Sequence, residues 1–186
     1  NAPIEMIENG YPVTFVRYAL VPNSGGAGIH RGGLGLIREF RIDAPTGTIS
    51  ANLDRFTHPP YGLQGGAPGA GGQLSIHRAA SGKTEILPSK ISGIEVVAGD
   101  VFRLQTSGGG GWGDPLARNP GRVAEDIRQG YLTGGQALGR YGVVIAGDGA
   151  VDGTGTAATP AARVPATRKA CSKRMSATST TPTKSP

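Results

Sequence analysis

The stretch that most constrains the fold is residues 106–115, which read T-S-G-G-G-G-W-G-D-P. Five glycines there surround Trp112, the only tryptophan of the chain. Glycine is favoured where the backbone turns with positive φ or passes close to another group, so this density of glycine indicates a loop of defined shape. A flexible linker would not need the tryptophan, and we expect Trp112 to anchor this loop between a strand and a helix.

Glycine and proline recur along the chain and account for 32 and 14 of its 186 residues. That content, about a quarter, is close to the range of low-complexity sequences. The glycines are nevertheless interleaved with aliphatic runs and follow no short period, which argues against collagen and against a Gly/Ser linker. The composition therefore predicts a turn-rich, mainly β (α+β) fold.

Short runs rich in β-branched and aromatic residues alternate with glycine turns, which predicts a β-sheet or sandwich-like region. The predicted strands are residues 11–20, 36–42, 46–53, 74–77, 86–87, 93–97 and 101–106. Residues 54–72 cannot form regular structure, because they contain two adjacent prolines and repeated glycines. We expect this long loop to be ordered, since Phe56, Tyr61 and Leu63 give it apolar side chains to bury.

Helix signals follow the glycine-rich loop. Asn119 is a suitable N-cap, Pro120 fits the first helical position and Gly130 fits the position beyond the last turn. Together they predict a helix over residues 120–129.

A second short helix and a last strand complete the predicted body. Thr133 and the glutamine three residues later have the spacing of a capping box, which predicts a helix that ends near Tyr141. Residues 142–145 (G-V-V-I) are expected to form the final strand. Alanine, threonine, proline and basic residues without periodicity then predict a disordered tail, so we divide the chain into residues 1–149 and 150–186.

The net charge of +6 comes mainly from this tail, which carries six basic residues and one acid. Residues 1–149 hold 13 basic and 12 acidic groups, so the predicted folded part is nearly neutral. The tail also has no aromatic residue to stack on bases. The charge pattern therefore argues against a nucleic-acid partner.

Cys171 is the only cysteine, which excludes an intramolecular disulfide framework and fits a reducing compartment. No run approaches 18 apolar residues, and the start lacks the pattern of a signal peptide. We therefore expect a cytoplasmic protein that has no membrane partner. Because the chain begins with Asn1, we also expect that sequence preceding it is missing.

Two nucleotide-binding motifs do not fit this sequence. Gly108, Gly110 and Gly113 have the spacing of a dinucleotide-binding loop, but Asp114 and Pro115 follow and no helix opens there. No glycine cluster ends in Lys-Ser or Lys-Thr, so a P-loop is absent. The sequence itself therefore predicts no ATP site in this chain.

Side chains with catalytic or metal-binding chemistry are sparse. His30, His58 and His77 have no short metal-ligand spacing, and no Ser/His/Asp or Cys/His arrangement is supported, so catalytic residues are not identified. His30 and Arg31 lie between two glycine clusters, where backbone amides and a guanidinium can bind an anion. Equally, Arg31 can pair with a nearby acid, and the sequence leaves both interpretations open.

Several long blocks together resemble a known family. They are N-A-P-I-E, R-Y-A-L-V-P-N-S-G-G-A-G-I-H-R-G-G-L-G-L-I-R-E-F, L-P-S-K, A-G-D-V-F-R-L-Q-T-S-G-G-G-G-W-G-D-P, V-A-E-D-I-R-Q-G-Y-L-T and Y-G-V-V-I. In this order, from Asn1 to about Ile145, the chain is similar to the C-terminal portion of the hydantoinase B/oxoprolinase family. The related alpha-type subunit of acetone carboxylase is an alternative.

The resemblance implies an ATP-dependent opening of a cyclic amide such as 5-oxoproline or a hydantoin. An A-type partner subunit would bind ATP and phosphorylate the amide oxygen, while the B-type part hydrolyses the activated substrate. ATP and a divalent metal are expected in the whole complex, but not on this chain alone. Family members are far longer than this chain, so its missing N-terminal portion is a second expected partner; truncation and a shifted reading frame both remain open.

The two glycine-rich loops at residues 24–35 and 108–114 are the predicted walls of a substrate site or an interface, with Arg31 as the main polar contact. A purely structural or interaction role is the alternative to a catalytic one. The candidate residues are Ser24, Gly25, Gly26, His30, Arg31, Gly110, Gly111, Trp112 and Asp114. No metal ligand is assigned.

Overall fold

The computed structural model describes residues 2–147, 149–153 and 156. The helices and strands follow in the order α1 (Ile4–Gly10), β1 (Val13–Leu20), β2 (Leu36–Ile42), β3 (Thr46–Asn52), β4 (Gln73–His77), β5 (Thr84–Leu87), β6 (Lys90–Val97), β7 (Val101–Gln105), α2 (Pro120–Arg128) and α3 (Gly134–Tyr141), with a 3₁₀ turn at Pro115–Ala117. The mainly β class is confirmed, and every predicted strand up to β7 is present.

Two antiparallel sheets make up the β-region. The larger has the order β1-β2-β7-β4-β5, and the smaller pairs β3 with β6. Phe40 lies opposite Phe102 in the larger sheet, with ring centroids 5.3 Å apart. Ile42 and Ile76 of the larger sheet pack on Val96 of the smaller one, and all three are buried. This shared cluster joins the sheets into a sandwich-like layer.

The first helix, α1, was not predicted. It begins after Pro3, makes no side-chain capping hydrogen bond and buries none of its residues, so the sequence offers little signal for it. Its Glu8 carboxylate accepts a hydrogen bond of 2.6 Å from the backbone N–H of Phe15 in β1. A side chain therefore fixes α1 to the edge of the larger sheet.

The two predicted helices are present, but their ends differ in detail. The Asn119 side chain caps α2 by accepting from the N–H of Gly121 at 2.8 Å, as expected. The predicted capping box of α3 is wrong, because Thr133 makes no side-chain capping bond and its hydroxyl lies 3.4 Å from the Asn23 amide oxygen. Contact with the distant Asn23 replaces the local cap.

The predicted final strand over residues 142–145 is also wrong. Gly142 adopts the left-handed conformation (φ 66°) that ends α3, and Val143 is then buried among the helices. Ile145 forms only an isolated bridge with Val151. A short apolar run has the same sequence pattern whether it forms a buried strand or packs against helices, so the sequence could not distinguish these two structures.

A few residues beyond position 149 contact the folded body. Val151 packs against the cluster of buried residues formed by α2 and α3, and the Thr156 hydroxyl accepts from the N–H of Val144 at 3.1 Å. Residues 154, 155 and 157–186 of the predicted disordered tail, including Cys171, lie outside the described residues. The division between residues 1–149 and 150–186 stays a prediction.

Asp100, in the turn between β6 and β7, is a buried carboxylate with several donors. It accepts hydrogen bonds from the N–H groups of Ala79 at 2.9 Å and Val97 at 3.3 Å. The Arg78 guanidinium lies 3.1 Å from the same carboxylate. Burial raises the pKa of Asp100, but these donors together outweigh it and hold its pKa below the usual value.

We expect Asp100→Asn to lower the free energy of unfolding at pH 7 by about 1–3 kcal/mol, because it leaves buried donors poorly paired. A carboxyl whose pKa is lowered by folding stabilises above its unfolded pKa of about 4, and this stabilisation is lost as the pH falls through the folded pKa. Urea unfolding of both proteins between pH 7 and pH 2 should show the difference shrinking in acid. A difference that stays constant over this range would contradict the assignment.

Candidate functional site

Three glycine-rich segments, residues 24–35, 60–72 and 106–114, lie side by side between the larger sheet and the helices. Backbone hydrogen bonds join every pair of these segments. We call the arrangement the glycine bundle and number its segments in chain order. The sequence interpretation treated these stretches as separate loops, whereas they form one substructure.

Three hydrogen bonds illustrate the pairing. The N–H of Ala67 in the second segment donates to Ala27 in the first at 2.7 Å, and the N–H of Gly111 in the third donates to Ala67 at 2.9 Å. The N–H of Gly26 closes the triangle by donating to Gly109 at 2.8 Å. Each segment therefore bonds both of the others.

The contacts repeat every three residues. Ala70 donates to Ser24 and Gly108 donates to Ala70. These two bonds repeat the first two bonds above, displaced by three positions in each segment. A three-residue repeat is that of the polyproline II helix, whose backbone groups are free to bond to neighbours. The three-residue period therefore belongs to the backbone contacts, while the glycines themselves keep no constant spacing over these segments.

Close backbone approach explains why glycine occupies these positions. A Cβ atom would overlap a carbonyl oxygen or another backbone atom of a neighbouring part of the bundle at most of them. The positions are Gly25, Gly26, Gly28, Gly32, Gly35, Gly62, Gly66, Gly69, Gly108, Gly110 and Gly111. Glycine is thus required at these positions because the backbones of the segments pack directly against each other.

Order in the second segment comes only in part from the side chains that were expected to supply it. Tyr61 is 71% exposed and Leu63 is 56% exposed. Backbone bonds hold this segment instead, for example from the N–H of Leu63 to Gly111 at 2.9 Å. Phe56, the third side chain of the prediction, is half-buried and its ring lies against Gly72. The predicted reason for order therefore holds for Phe56 and is wrong for Tyr61 and Leu63.

Five of the nine candidate residues form the inside of the bundle. Ser24, Gly25, Gly26 and Gly111 are buried, and Gly110 is half-buried. The Ser24 hydroxyl is fully engaged, since it donates to the carbonyl of residue 21 at 2.6 Å and accepts from the N–H of residue 35 at 2.8 Å. These residues can shape a nearby site, but the Ser24 hydroxyl already bonds within the protein.

His30 and Trp112 form the outward face of the bundle. Their backbones exchange two hydrogen bonds of 3.0 and 2.9 Å, and their ring centroids lie 5.6 Å apart. Trp112 is 47% exposed, so the expectation that its side chain anchors the loop is wrong. Leu63 pairs with Trp112 in an isolated bridge. We call His30, Leu63 and Trp112 the aromatic patch.

Asp114 has a local structural contact. Its Oδ1 atom accepts from the N–H of Leu116 at 3.0 Å and so caps the 3₁₀ turn that follows the bundle. Asp114 is therefore close to Trp112 in sequence, but its carboxylate is already bonded within the turn.

Arg31 faces the helices. Its Nε atom lies 3.3 Å from Oδ2 of Asp126 in α2, and Nη2 of Arg118 lies 2.8 Å from the same oxygen. The three side chains are only 16%, 10% and 9% exposed. Of the two interpretations left open by the sequence, the structure shows pairing with an acid.

Three arginines also hold the first segment through its backbone. Arg31, Arg118 and Arg140 each donate to a carbonyl oxygen there; the acceptors are Gly32, Ile29 and Gly25, at 2.9, 2.8 and 3.4 Å. Sequence reasoning missed Arg118, Asp126 and Arg140, because they lie about 90 to 115 positions away from their partners. The helices therefore set the position of the segment that carries His30.

In the part of the chain that the structure describes, the side chains form neither a metal-binding cluster nor a nucleotide-binding loop. No group of three His, Cys, Asp or Glu side chains comes together there. The glycines of the rejected dinucleotide motif lie within the bundle, where the N–H of Gly108 already donates to Ala70. Within the same residues, no helix has the length and apolar character needed to cross a bilayer.

Comparison with known proteins gives the family. The model of the hydantoinase B/oxoprolinase family matches residues 1–115. The putative B-type subunit of the D-/L-hydantoinase of Pseudomonas sp. (strain NS671) is 38% identical over 152 residues, which cover 82% of this chain and 26% of that protein. The caprolactamase subunit beta of Pseudomonas jessenii is 34% identical over 167 residues, with 87% and 28% covered.

Solved structures show the same relationship. The ATP-dependent caprolactamase from Pseudomonas jessenii matches with a TM-score of 0.74 and 28% identity, over 85% of this chain and 28% of that one. Nucleotide-free acetone carboxylase matches with a TM-score of 0.69 and 28% identity, over 84% and 25%. The chain thus spans about a quarter of the length of these relatives. On the sequence match and the shared fold, it belongs to the hydantoinase B/oxoprolinase family.

Proposed function

We propose that this chain is the C-terminal part of the substrate-hydrolysing B-type subunit in an ATP-dependent cyclic-amide hydrolase. The observation that carries the proposal is the match, over more than four fifths of the chain, to the B-type subunit of a hydantoinase and the beta subunit of a caprolactamase. Both relatives are named as subunits, which supports an A-type partner. The single cysteine supports a cytoplasmic location.

The chemistry divides naturally between two subunits. An amide is a poor electrophile, and phosphorylation of its oxygen creates a better leaving group and a better target for water. We assign ATP binding and phosphoryl transfer to the A-type partner. We assign the metal expected for ATP chemistry to the rest of the complex as well; among the residues that the structure describes, no three His, Cys, Asp or Glu side chains come together.

The contribution of this chain is a rigid surface. Cross-bonded backbone fixes the bundle, so the aromatic patch is held in one place although its side chains are exposed. Tryptophan in such a position is typical of residues that dominate a binding interface. We propose that Trp112 and His30 contact the cyclic amide or the surface that encloses it, while Arg31 positions the segment behind them.

The experiment uses a chimera in which this chain replaces the matched 152-residue segment of the B-type hydantoinase subunit from Pseudomonas sp.. We expect the chimera to assemble with its A-type partner and to hydrolyse ATP in response to hydantoin, 5-oxoproline or caprolactam. The same B-type subunit with its own segment rebuilt through the same junctions is the control. An assembled chimera without amide-dependent ATP hydrolysis would contradict the proposal.

The role of the aromatic patch is tested in this chimera with Trp112→Ala. We expect turnover to fall at least about tenfold while the complex still assembles, as for a residue that dominates a contact. Leu138→Ala is the matched control, because Leu138 is similarly exposed at 45% but lies on α3. Loss of assembly with Trp112→Ala would instead assign the patch to a structural interface.

A ketone carboxylase is the second candidate. The alpha subunit of acetone carboxylase from Xanthobacter autotrophicus is 29% identical over 199 residues, which cover 85% of this chain and 25% of that subunit. The same chimera distinguishes the two reactions. ATP hydrolysis that responds to acetone and bicarbonate, and not to cyclic amides, would favour carboxylation.

A further inference from the structure

An apolar cleft lies on the larger sheet, away from the glycine bundle. It has a volume of about 450 Å³ and lies between α1, the exposed part of the larger sheet and the smaller sheet. Its walls include Ile7 of α1, Phe15 and Phe40 of the larger sheet, and Ile49 of the smaller sheet. Tyr11, Pro12 and Thr48, which also line the cleft, are exposed, so the cleft is open to solvent.

An open apolar cleft of this size is unfavourable. Protein interiors are close-packed, and apolar walls without partner atoms lose both dispersion contacts and the gain from excluding water. Phe15, Phe40 and Ile49 are only half-buried as the chain stands. Their positions call for an occupant that is itself apolar.

Arg38 adds a charge requirement at the wall of the cleft. Its guanidinium donates to the Tyr18 hydroxyl at 3.2 Å and lies 4.9 Å from the centre of that ring. Within residues 2–147, 149–153 and 156, no carboxylate lies within ion-pair distance of Arg38. An acidic group on the occupant would complete the pairing.

The first helix indicates that the occupant is a polypeptide. A seven-residue helix is too short to be stable without packing, yet α1 is covered only at Ile4 and Ile7, which are half-buried. Met6 is 68% exposed, and Tyr11, which directly follows the helix, is 67% exposed. A small molecule inside the cleft would leave this helix uncovered. A chain segment can cover both, and the relatives contain about three times as much additional sequence as this chain spans.

We propose that this face binds the portion of a hydantoinase B-type polypeptide outside the quarter that the chain spans. An apolar segment with an acidic residue fills the cleft, covers α1 and pairs with Arg38. The inference rests on the proposed function, since it places this chain within a B-type subunit. Its test measures the accessibility of a thiol in the cleft and not turnover. The inference can therefore fail in a chimera that hydrolyses ATP in response to a cyclic amide, and it can hold in an inactive chimera.

The test compares thiol labelling in the 186-residue chain and in the chimera. Thr48→Cys places a thiol on the exposed lining of the cleft, in a Cys171→Ser background, and Ser81→Cys in the turn between β4 and β5 is the control. Mass spectrometry of peptides measures the rate at which maleimide adds to the cysteine at each site. We expect Cys labelling at position 48 to be at least about tenfold slower in the chimera, and labelling at position 81 to be unchanged.

A charge reversal gives the second readout. In the chimera, Arg38→Glu is expected to restore labelling at position 48, whereas Arg122→Glu on the exposed face of α2 is not. Equal labelling at position 48 in chain and chimera would overturn the proposal. So would protection that already exists in the isolated chain and grows with its concentration, because the occupant would then be a second copy. Protection of both sites alike would also count against a specific cleft contact.

Discussion

Replacing Gly111 with alanine is expected to lower the free energy of unfolding by about 3 kcal/mol or more, since overpacking at a site that cannot relax is costly. The new methyl group would overlap the carbonyl oxygen of Ala27. That oxygen is fixed, because it accepts a hydrogen bond from Ala67 at 2.7 Å. Relief requires separation of the first and third segments. Urea unfolding followed by circular dichroism measures the effect.

Gly139→Ala is the matched control. Gly139 lies within α3, and a methyl group added there would meet no atom within 4 Å, so alanine should stabilise the helix by up to about 1 kcal/mol. The two substitutions add the same methyl group to the same chain and should have opposite signs. A loss below about 1 kcal/mol for Gly111→Ala would show that the bundle is not a close-packed unit.

Replacing Asp126 with alanine is the second substitution with a large expected effect. It leaves Arg31 and Arg118 largely buried without their shared carboxylate, and removing one partner of such a pair costs about 3–5 kcal/mol. Displacement of both arginines should also loosen the first segment. Denaturant unfolding measures the stability, and the emission spectrum of Trp112 reports the position of the aromatic patch.

Glu125→Ala separates this effect from a general loss of helix stability. Glu125 is the neighbouring acid in α2, and it pairs with Arg128 at the surface. Exposed pairs of this kind contribute about 0–1 kcal/mol. We expect Glu125→Ala to leave Trp112 emission unchanged, whereas Asp126→Ala shifts it. Unchanged emission in both variants would show that Asp126 stabilises the helices without positioning the patch.

The strands could be predicted from the sequence because their signals are local. β2 and β7 read as β-branched and aromatic runs between turn residues, and both are present with boundaries within one residue. The N-cap of α2 is equally local, because Asn119 bonds to Gly121 two positions later. Such features depend on neighbours in the chain and not on the tertiary fold.

The glycine bundle was visible only in part. Gly66, Gly69 and Gly72 have the three-residue spacing of an extended repeat, and that spacing could have been recognised. It was obscured by adjacent glycines such as Gly65, which has a positive φ and serves a turn. Which segments pair is decided by tertiary contacts, so local reading correctly located the glycine loops but missed their association.

The charged contacts of the candidate site could not be read from the sequence. Arg31 and Asp126 are separated by 95 positions, and nothing near either residue identifies the other. Trp112 was expected to anchor the loop because a flexible linker would not need a tryptophan. Here backbone bonds to His30 hold the loop, and the ring remains free to contact something else.

The central claim is that this chain completes a B-type subunit, and the most direct test is the rate of ATP hydrolysis by the chimera with its A-type partner. We predict a rate that rises when a cyclic amide is added, and no hydrolysis of ATP or amide by the 186-residue chain alone. Turnover by the chain alone would contradict the division of labour. An assembled chimera whose ATP hydrolysis ignores cyclic amides would contradict the assignment to this reaction.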